Sequence, residues 1–167
     1  MKTKVPLIRQ ITAILIAWLI FIGLDFLFHA GLLEKLWNDP IPAIKSPENL
    51  AILIPAGYGS FLLLTGLIGF VFHRFFTEKP TLKKVMYFAL LFGSLFSLSN
   101  LLGLYSFVAI PLKKLILINF VYFIEIITVS LTLYYITFSS SLKRSIWFAV
   151  LIFFILLILG ILFQNLL

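Results

Sequence analysis

The sequence predicts an all-α integral membrane protein, a polytopic bundle of five transmembrane helices, and three observations lead to this prediction. Hydrophobic residues make up 62% of the 167 residues and charged residues only 11%, which is too little polar surface for a water-soluble globule. The apolar residues fall into long blocks, and a helix needs roughly 20 of them to cross the hydrocarbon. Short charged or proline-containing segments separate five such blocks. We therefore expect residues 1–167 to form a single membrane domain.

Each helix is placed by the charged or turn-forming residues at its ends. The first follows a basic segment, as in a signal peptide, but residues 28–30 offer Phe-His-Ala instead of the small residues that cleavage needs. We therefore expect an uncleaved helix. Prolines at 40, 42 and 47 break the next segment, and basic clusters mark the later loops. The five helices are predicted at 11–33, 50–76, 82–105, 115–138 and 146–163.

Two helices show patterns that indicate how they pack. In the third, Ala89, Gly93 and Ser97 are four residues apart, and a stripe of small residues lets membrane helices approach closely. The fifth contains no charged residue and almost no polar one. We expect it to lie outside a four-helix core or to mediate homo- or hetero-oligomer contacts.

Polar side chains inside the predicted helices are the candidates for function, because ionisable groups at membrane depth are energetically costly. Counting at about 1.5 Å per residue, four helices bring one such group to roughly 3 to 7 Å on the outer side of the membrane centre. Two further groups, His29 and Asn119, fall at a shallower level, about 11 to 12 Å out. We expect these side chains to meet in one sheltered polar cavity. The candidate substrate-binding or proton-titrating residues are Asp25, His29, Tyr58, Asn100, Asn119 and Glu125.

Asp25 and His29, spaced i and i+4, are compatible with a metal site, a proton relay or a structural hydrogen-bonded pair. Two ligands are fewer than a closed metal site needs, and no HExxH motif accompanies them, so the sequence predicts no metal ion and no cofactor. The chain has no cysteine and no recognisable hydrolase pattern. We therefore expect no catalytic residues, although two carboxyls and a histidine at similar depth leave acid–base chemistry open.

The segment Gly23-Leu24-Asp25-Phe26-Leu27, together with Ser99-Asn100-Leu101 late in the third helix and a polar fourth helix, resembles uncharacterised families of small bacterial inner-membrane proteins. Such families have an aspartate late in the first helix and a polar motif late in the third. The resemblance covers about residues 11–136 and implies a multi-pass protein of the bacterial cell membrane, without a known activity. Those families often place a Trp just after the Asp, where this chain has Phe26 and Leu27.

Three functions are compatible with these features. The first is the binding or transport of a small polar or cationic solute, with or without protons, through a polar cavity in the outer half of the bilayer. The second is a non-catalytic accessory or assembly subunit, and the third is a membrane enzyme that acts on a lipid. The net charge of +7 does not indicate a nucleic-acid partner, because the cations lie in short loops beside apolar segments.

The distribution of those cations predicts an N-in, C-out topology. Nine of the 13 Lys and Arg residues fall on the side of the N-terminus and four on the other side. Positive charge is retained in the cytoplasm, so the N-terminal side is predicted to be cytoplasmic. A reporter that is active only outside the cytoplasm should therefore be active when fused after Leu167. Activity of a cytoplasm-only reporter at the same position would contradict the topology.

Overall fold

The computed structural model describes residues 5–38 and 47–166, and in this part of the chain the regular structure is helical, without strands. Five of the described helices are long and apolar enough to cross a membrane. The protein is therefore an all-α, multi-pass integral membrane protein, which confirms the predicted fold class. The five apolar segments are Leu7–Leu32, Ile52–Phe75, Leu82–Phe107, Leu112–Phe138 and Leu142–Leu166.

The first helix is α1 (Leu7–Asp25). It continues directly into a π-helix (Phe26–Leu32), which is followed by a short helix α2 (Glu34–Asn38). The later helices are α3 (Pro47–Phe75), α4 (Leu82–Phe107), α5 (Leu112–Phe138) and α6 (Leu142–Leu166). Four of the membrane helices begin three or four residues before the predicted positions. The first turn of a helix accepts polar residues and prolines because its N–H groups have no intrahelical partner.

The π-helix is a local feature that the sequence pattern did not predict. It begins directly after Asp25 and contains His29. At its end, the backbone N–H of Leu33 donates to the carbonyl of Phe28 at 2.8 Å, a bond across five residues. π-helical turns are rare and occur frequently at functional sites. Here the π-helix occupies the end of the first membrane span, directly after Asp25.

The centre of the bundle is the contact between α1 and α5. Helix α4 packs along α5, α6 packs along α1 and the π-helix, and α3 lies beside both central helices. The small-residue stripe of α4 is buried as the spacing predicted, and a Cβ on Gly93 would lie 3.1 Å from the ring of Phe123 in α5. Asn119 and Glu125 of α5 are buried in this packing.

Helix α6 lies on the outside of the bundle, as predicted, and it packs closely against the π-helix. A Cβ on Gly31 would lie 3.0 Å from the carbonyl oxygen of Gly160, so the two backbones touch where α6 crosses the π-helix. A Cβ on Gly160 would in turn lie 3.3 Å from the Cα of Leu27. The outer face of α6 is exposed and apolar, as expected for a surface that contacts lipid. Helix α3 is also peripheral, which the sequence did not predict.

Substitution of Gly31 by alanine should destabilise the protein, because the added methyl group would press on the backbone of α6 rather than on a flexible side chain. We expect a loss of about 1 to 3 kcal/mol in the free energy of unfolding, measured by thermal or detergent denaturation of the purified protein. Gly66→Ala is the matched control, since a Cβ on Gly66 would meet no atom within 4 Å. Equal stability of the two variants would contradict the described crossing of the π-helix by α6.

Candidate functional site

The packing of α1 against α5 brings together three titratable side chains, which we name the Asp–His–Glu cluster (Asp25, His29 and Glu125). Asp25 ends α1, His29 follows in the π-helix, and Glu125 lies near the middle of α5. One nitrogen or oxygen of each side chain lies within 4.8 Å of one from each of the others. The Nε2 atom of His29 is 3.7 Å from Oδ1 of Asp25. These distances are too long for direct hydrogen bonds, but they place the three groups around one point where an ion could bind.

The burial of the cluster increases from Asp25 and His29 towards Glu125. The side chains of Asp25 and His29 retain 19% and 18% of their exposure, whereas Glu125 is 0% exposed. Within the described residues, neither carboxyl has a lysine or arginine partner. Two uncompensated carboxylates are not stable in an apolar interior, because burying each charge without a partner costs far more than a hydrogen bond returns. The cluster must therefore be neutralised by protons or by another cation.

Unpaired polar atoms are concentrated at this site. In the described part of the chain, six buried side-chain nitrogen or oxygen atoms have no hydrogen-bond partner. Four of the six belong to this site: both carboxylate oxygens of Glu125, Nδ1 of His29 and Nε1 of Trp37. Buried polar atoms are normally satisfied, and exceptions frequently mark a functional or ion-binding position. The other two are hydroxyls of Thr65 and Ser97.

Aromatic rings surround the imidazole. The ring of His29 lies 5.4 Å from that of Trp37, in the short helix α2, and 6.4 Å from that of Tyr122, one turn before Glu125. On the neighbouring side, Nε1 of Trp18 donates a hydrogen bond of 2.9 Å to the backbone carbonyl of Tyr58, which joins α1 to α3. These contacts restrict the imidazole and position α3 next to it.

A cleft of about 710 Å³ opens beside the cluster, between the end of the first span and α3. We name it the α1–α3 cleft. Asp25 and His29 lie on its wall, whereas Glu125 lies behind them. A solute that enters the cleft therefore meets Asp25 and His29 first, and Glu125 is the innermost group. The residues that line the α1–α3 cleft are Asp25, His29, Ala30, Trp37, Leu53, Ile54, Ala56, Gly57, Tyr58 and Phe61.

The contacts of the six candidate residues fall into two sets. Tyr58 shares the α1–α3 cleft with Asp25 and His29. Nδ2 of Asn100 instead donates to Oδ1 of Asn119 at 2.9 Å, and Nδ2 of Asn119 donates to the carbonyl of Leu115. The asparagine pair thus joins α4 to α5 and is satisfied by its own hydrogen bonds. His29 therefore pairs with Asp25, and Asn119 pairs with Asn100.

The opposite end of the bundle contains polar groups that are already paired. His73 has its Nδ1 at 2.7 Å from the carbonyl of Gly69 and its Nε2 at 2.9 Å from the hydroxyl of Thr137. Nδ1 must therefore donate, and Nε2 accepts from the hydroxyl. Arg9 donates to the carbonyls of Ile136 and Ser139 at the end of α5. These side chains fasten the bundle, in contrast to those of the Asp–His–Glu cluster.

Sequence reasoning did not identify Trp37 and Tyr122 as site residues. Trp37 has the position of an interface anchor, since Trp is common at membrane boundaries. The ring of Trp37 lies beside that of His29 because the short helix α2 follows the π-helix directly. Tyr122 lies three residues before Glu125, so helical spacing places both side chains on one face of α5. This spacing is the feature of the sequence from which Tyr122 could have been identified as a site residue.

No protein-family model, curated protein or solved structure matches this chain. Its function is therefore inferred from the chemistry of its own residues. Two carboxyls, an imidazole and an adjoining cleft provide oxygen and nitrogen donors for a cation, or sites for exchangeable protons. The described site has no unpaired lysine or arginine side chain on the cleft wall, so an anionic solute would find no counter-charge there.

Replacement of Glu125 by methionine should stabilise the fold in the presence of a chelator. Methionine has a similar length and carries no polar atom that needs a partner, so the desolvation cost of the unpaired carboxyl disappears. We expect the free energy of unfolding to rise by up to about 4 kcal/mol. The control Glu34→Met, at a partly exposed carboxyl in α2, should change it by less than about 0.5 kcal/mol. A marked loss of stability in Glu125→Met would show that Glu125 has a structural role.

Proposed function

We propose that this membrane protein binds a small cationic solute at the Asp–His–Glu cluster and exchanges it through the α1–α3 cleft, as a solute-binding or transport protein of a bacterial inner membrane. The observation that supports this most is Glu125, a fully buried carboxyl whose two oxygens lack hydrogen-bond partners and face Asp25 and His29. A side chain that is costly to bury and contributes no internal hydrogen bond has little value as a structural element. A cation provides the missing interaction.

Charge determines the class of solute. The cluster offers two carboxyls and one imidazole, and the wall of the α1–α3 cleft offers aromatic and apolar surface without a basic side chain other than His29. Aromatic faces such as those of Trp37 and Phe61 favour cations through their ring quadrupoles. A cation is therefore preferred over an anion or a neutral molecule along the whole path from the cleft to Glu125.

Protons should compete with the solute for the same carboxyls, because ligand groups must lose their protons to bind a cation. Among the described residues, the titratable groups that face the cluster are Asp25 and His29 on the first span, Tyr58 on α3, and Tyr122 and Glu125 on α5. Competition at one site is the simplest way to couple the entry of a cation to the release of a proton.

The amide variants Asp25→Asn and Glu125→Gln provide the experiment, because they keep side-chain shape and remove one charge each. Purified protein with a histidine-free affinity tag would be titrated by calorimetry with Na⁺, K⁺, Zn²⁺ and tetramethylammonium. We expect the wild type to bind at least one of these cations with a 1:1 stoichiometry and less tightly in acid. Each amide variant should weaken that binding at least about tenfold.

Glu34→Gln is the matched control, since Glu34 is a nearby carboxyl outside the cluster. This variant should bind the cation with the same affinity as the wild type. If no cation binds to the wild type, or if the amide variants bind as tightly as the wild type, the proposed function is wrong. In that case the accessory-subunit hypothesis would remain, in which the cluster only holds the bundle together.

A further inference from the structure

We propose that the bound cation is a divalent transition-metal ion, such as Zn²⁺ or Mn²⁺, held by Nε2 of His29 and the carboxylates of Asp25 and Glu125. This inference rests on the proposed function, because it names the class of cation for the same cluster. It departs from the sequence-based expectation of no metal site, which counted only the two ligands on the first helix. The third ligand, Glu125, is brought in by the packing of α5 against α1.

Charge balance favours a divalent ion over a monovalent one. Two carboxylates contribute a charge of −2, and the imidazole is neutral when it acts as a ligand. A divalent ion would make the complex neutral, whereas Na⁺ or an organic ammonium would leave one net negative charge. Since Glu125 is 0% exposed and has no basic partner among the described residues, a neutral complex is by far the less costly state.

The donor set selects among divalent ions. Mg²⁺ and Ca²⁺ prefer oxygen ligands, whereas imidazole nitrogen suits Zn²⁺ and other first-row transition metals. One histidine with two carboxylates therefore favours Zn²⁺, Mn²⁺ or Fe²⁺. Cu(I), which prefers soft sulfur ligands, would find no thiolate in a chain without cysteine.

The distances are close to those of a coordinated site. Donor atoms about 2.1 Å from a tetrahedral ion lie roughly 3.4 Å apart. The His29–Asp25 separation of 3.7 Å nearly meets this requirement, and every pair lies within 4.8 Å. The remaining approach by Glu125, at most about 1.4 Å from the 4.8 Å limit to the roughly 3.4 Å required, would break no hydrogen bond, because both of its oxygens are unpaired. Within the described residues, no other three such side chains come together in this way.

The cluster provides three protein ligands, the number found in metal sites that keep one coordination position open. Structural zinc sites are closed by four protein ligands, whereas sites with three keep one position for water or another molecule. Asp25 and His29 lie on the wall of the α1–α3 cleft, so such a position would open towards the cleft. This arrangement suits the reversible binding of a metal ion as a solute better than permanent structural binding.

The experiment uses the full chain with a histidine-free tag. A chelator first removes bound metal ions, and the chelator is then removed before the titration. Calorimetry would measure Zn²⁺, Mn²⁺, Co²⁺, Mg²⁺ and Na⁺, and the visible absorption of Co²⁺ would report coordination by the protein. We expect one Zn²⁺ or Co²⁺ per chain and no tight binding of Mg²⁺ or Na⁺. His29→Gln, Asp25→Asn and Glu125→Gln should each weaken Zn²⁺ binding at least about 100-fold, beyond the effect typical of residues outside the coordination shell.

Two controls keep the test decisive. His73→Gln and Glu34→Gln remove an imidazole and a carboxyl outside the cluster and should leave Zn²⁺ affinity and the Co²⁺ spectrum unchanged. Glu125→Asp retains a carboxylate donor, so it should restore measurable Zn²⁺ binding and separate loss of a ligand from misfolding.

The outcomes distinguish this inference from the function on which it rests. Tight binding of Na⁺ or tetramethylammonium without tight binding of any transition metal would overturn the metal site and leave the proposed function standing. Zn²⁺ binding that survives in His29→Gln, or that is lost in His73→Gln, would also overturn it. Failure of the wild type to bind any cation would overturn both.

Discussion

The contact between α1 and α5 determines what this protein can do. It buries Glu125 completely and places its carboxyl against Asp25 and His29 at the end of the first membrane span. On a water-exposed surface, two such carboxylates would be solvated, and their charges would cost little free energy. Inside a membrane domain, where the described residues provide no basic partner, the same pair must be neutralised by protons or by another cation. The proposed function rests on that electrostatic requirement.

The remaining helices pack against α1, the π-helix or α5. Helix α4 packs on α5 through small residues, and its Asn100 donates a hydrogen bond to Asn119 of α5. Helix α6 packs on the π-helix where the backbones of Gly31 and Gly160 touch. Helix α3 is held more loosely and forms the far wall of the α1–α3 cleft. The α1–α3 cleft is the opening that adjoins Asp25 and His29.

Much of the fold followed from the sequence, because hydrophobic block length and loop charge are local properties. The five apolar helices, the buried stripe of α4 and the peripheral position of α6 were all predictable in this way. The meeting of Asp25 with His29 followed from their spacing on one helix. Similar depth also led us to expect Glu125 in one cavity with that pair. Which atoms approach each other, and the pairing of Asn100 with Asn119, depend on helix rotation and crossing, which depth counting does not determine. The π-helix and the contact of Trp37 with His29 depend on tertiary packing in the same way.

The central claim is that His29 and Glu125 are neighbours inside the bundle, and solid-state NMR in lipid bilayers tests it most directly. The chain has only two histidines and four glutamates, so protein labelled with ¹⁵N in histidine rings and ¹³C in glutamate carboxyls gives few possible couplings. Because a ring nitrogen of His29 lies within 4.8 Å of a carboxylate oxygen of Glu125, the bonded carboxyl carbon is also close, and we predict a ¹⁵N–¹³C dipolar coupling that disappears in Glu125→Gln. The absence of that coupling in the wild type, or its persistence in the variant, would contradict the account.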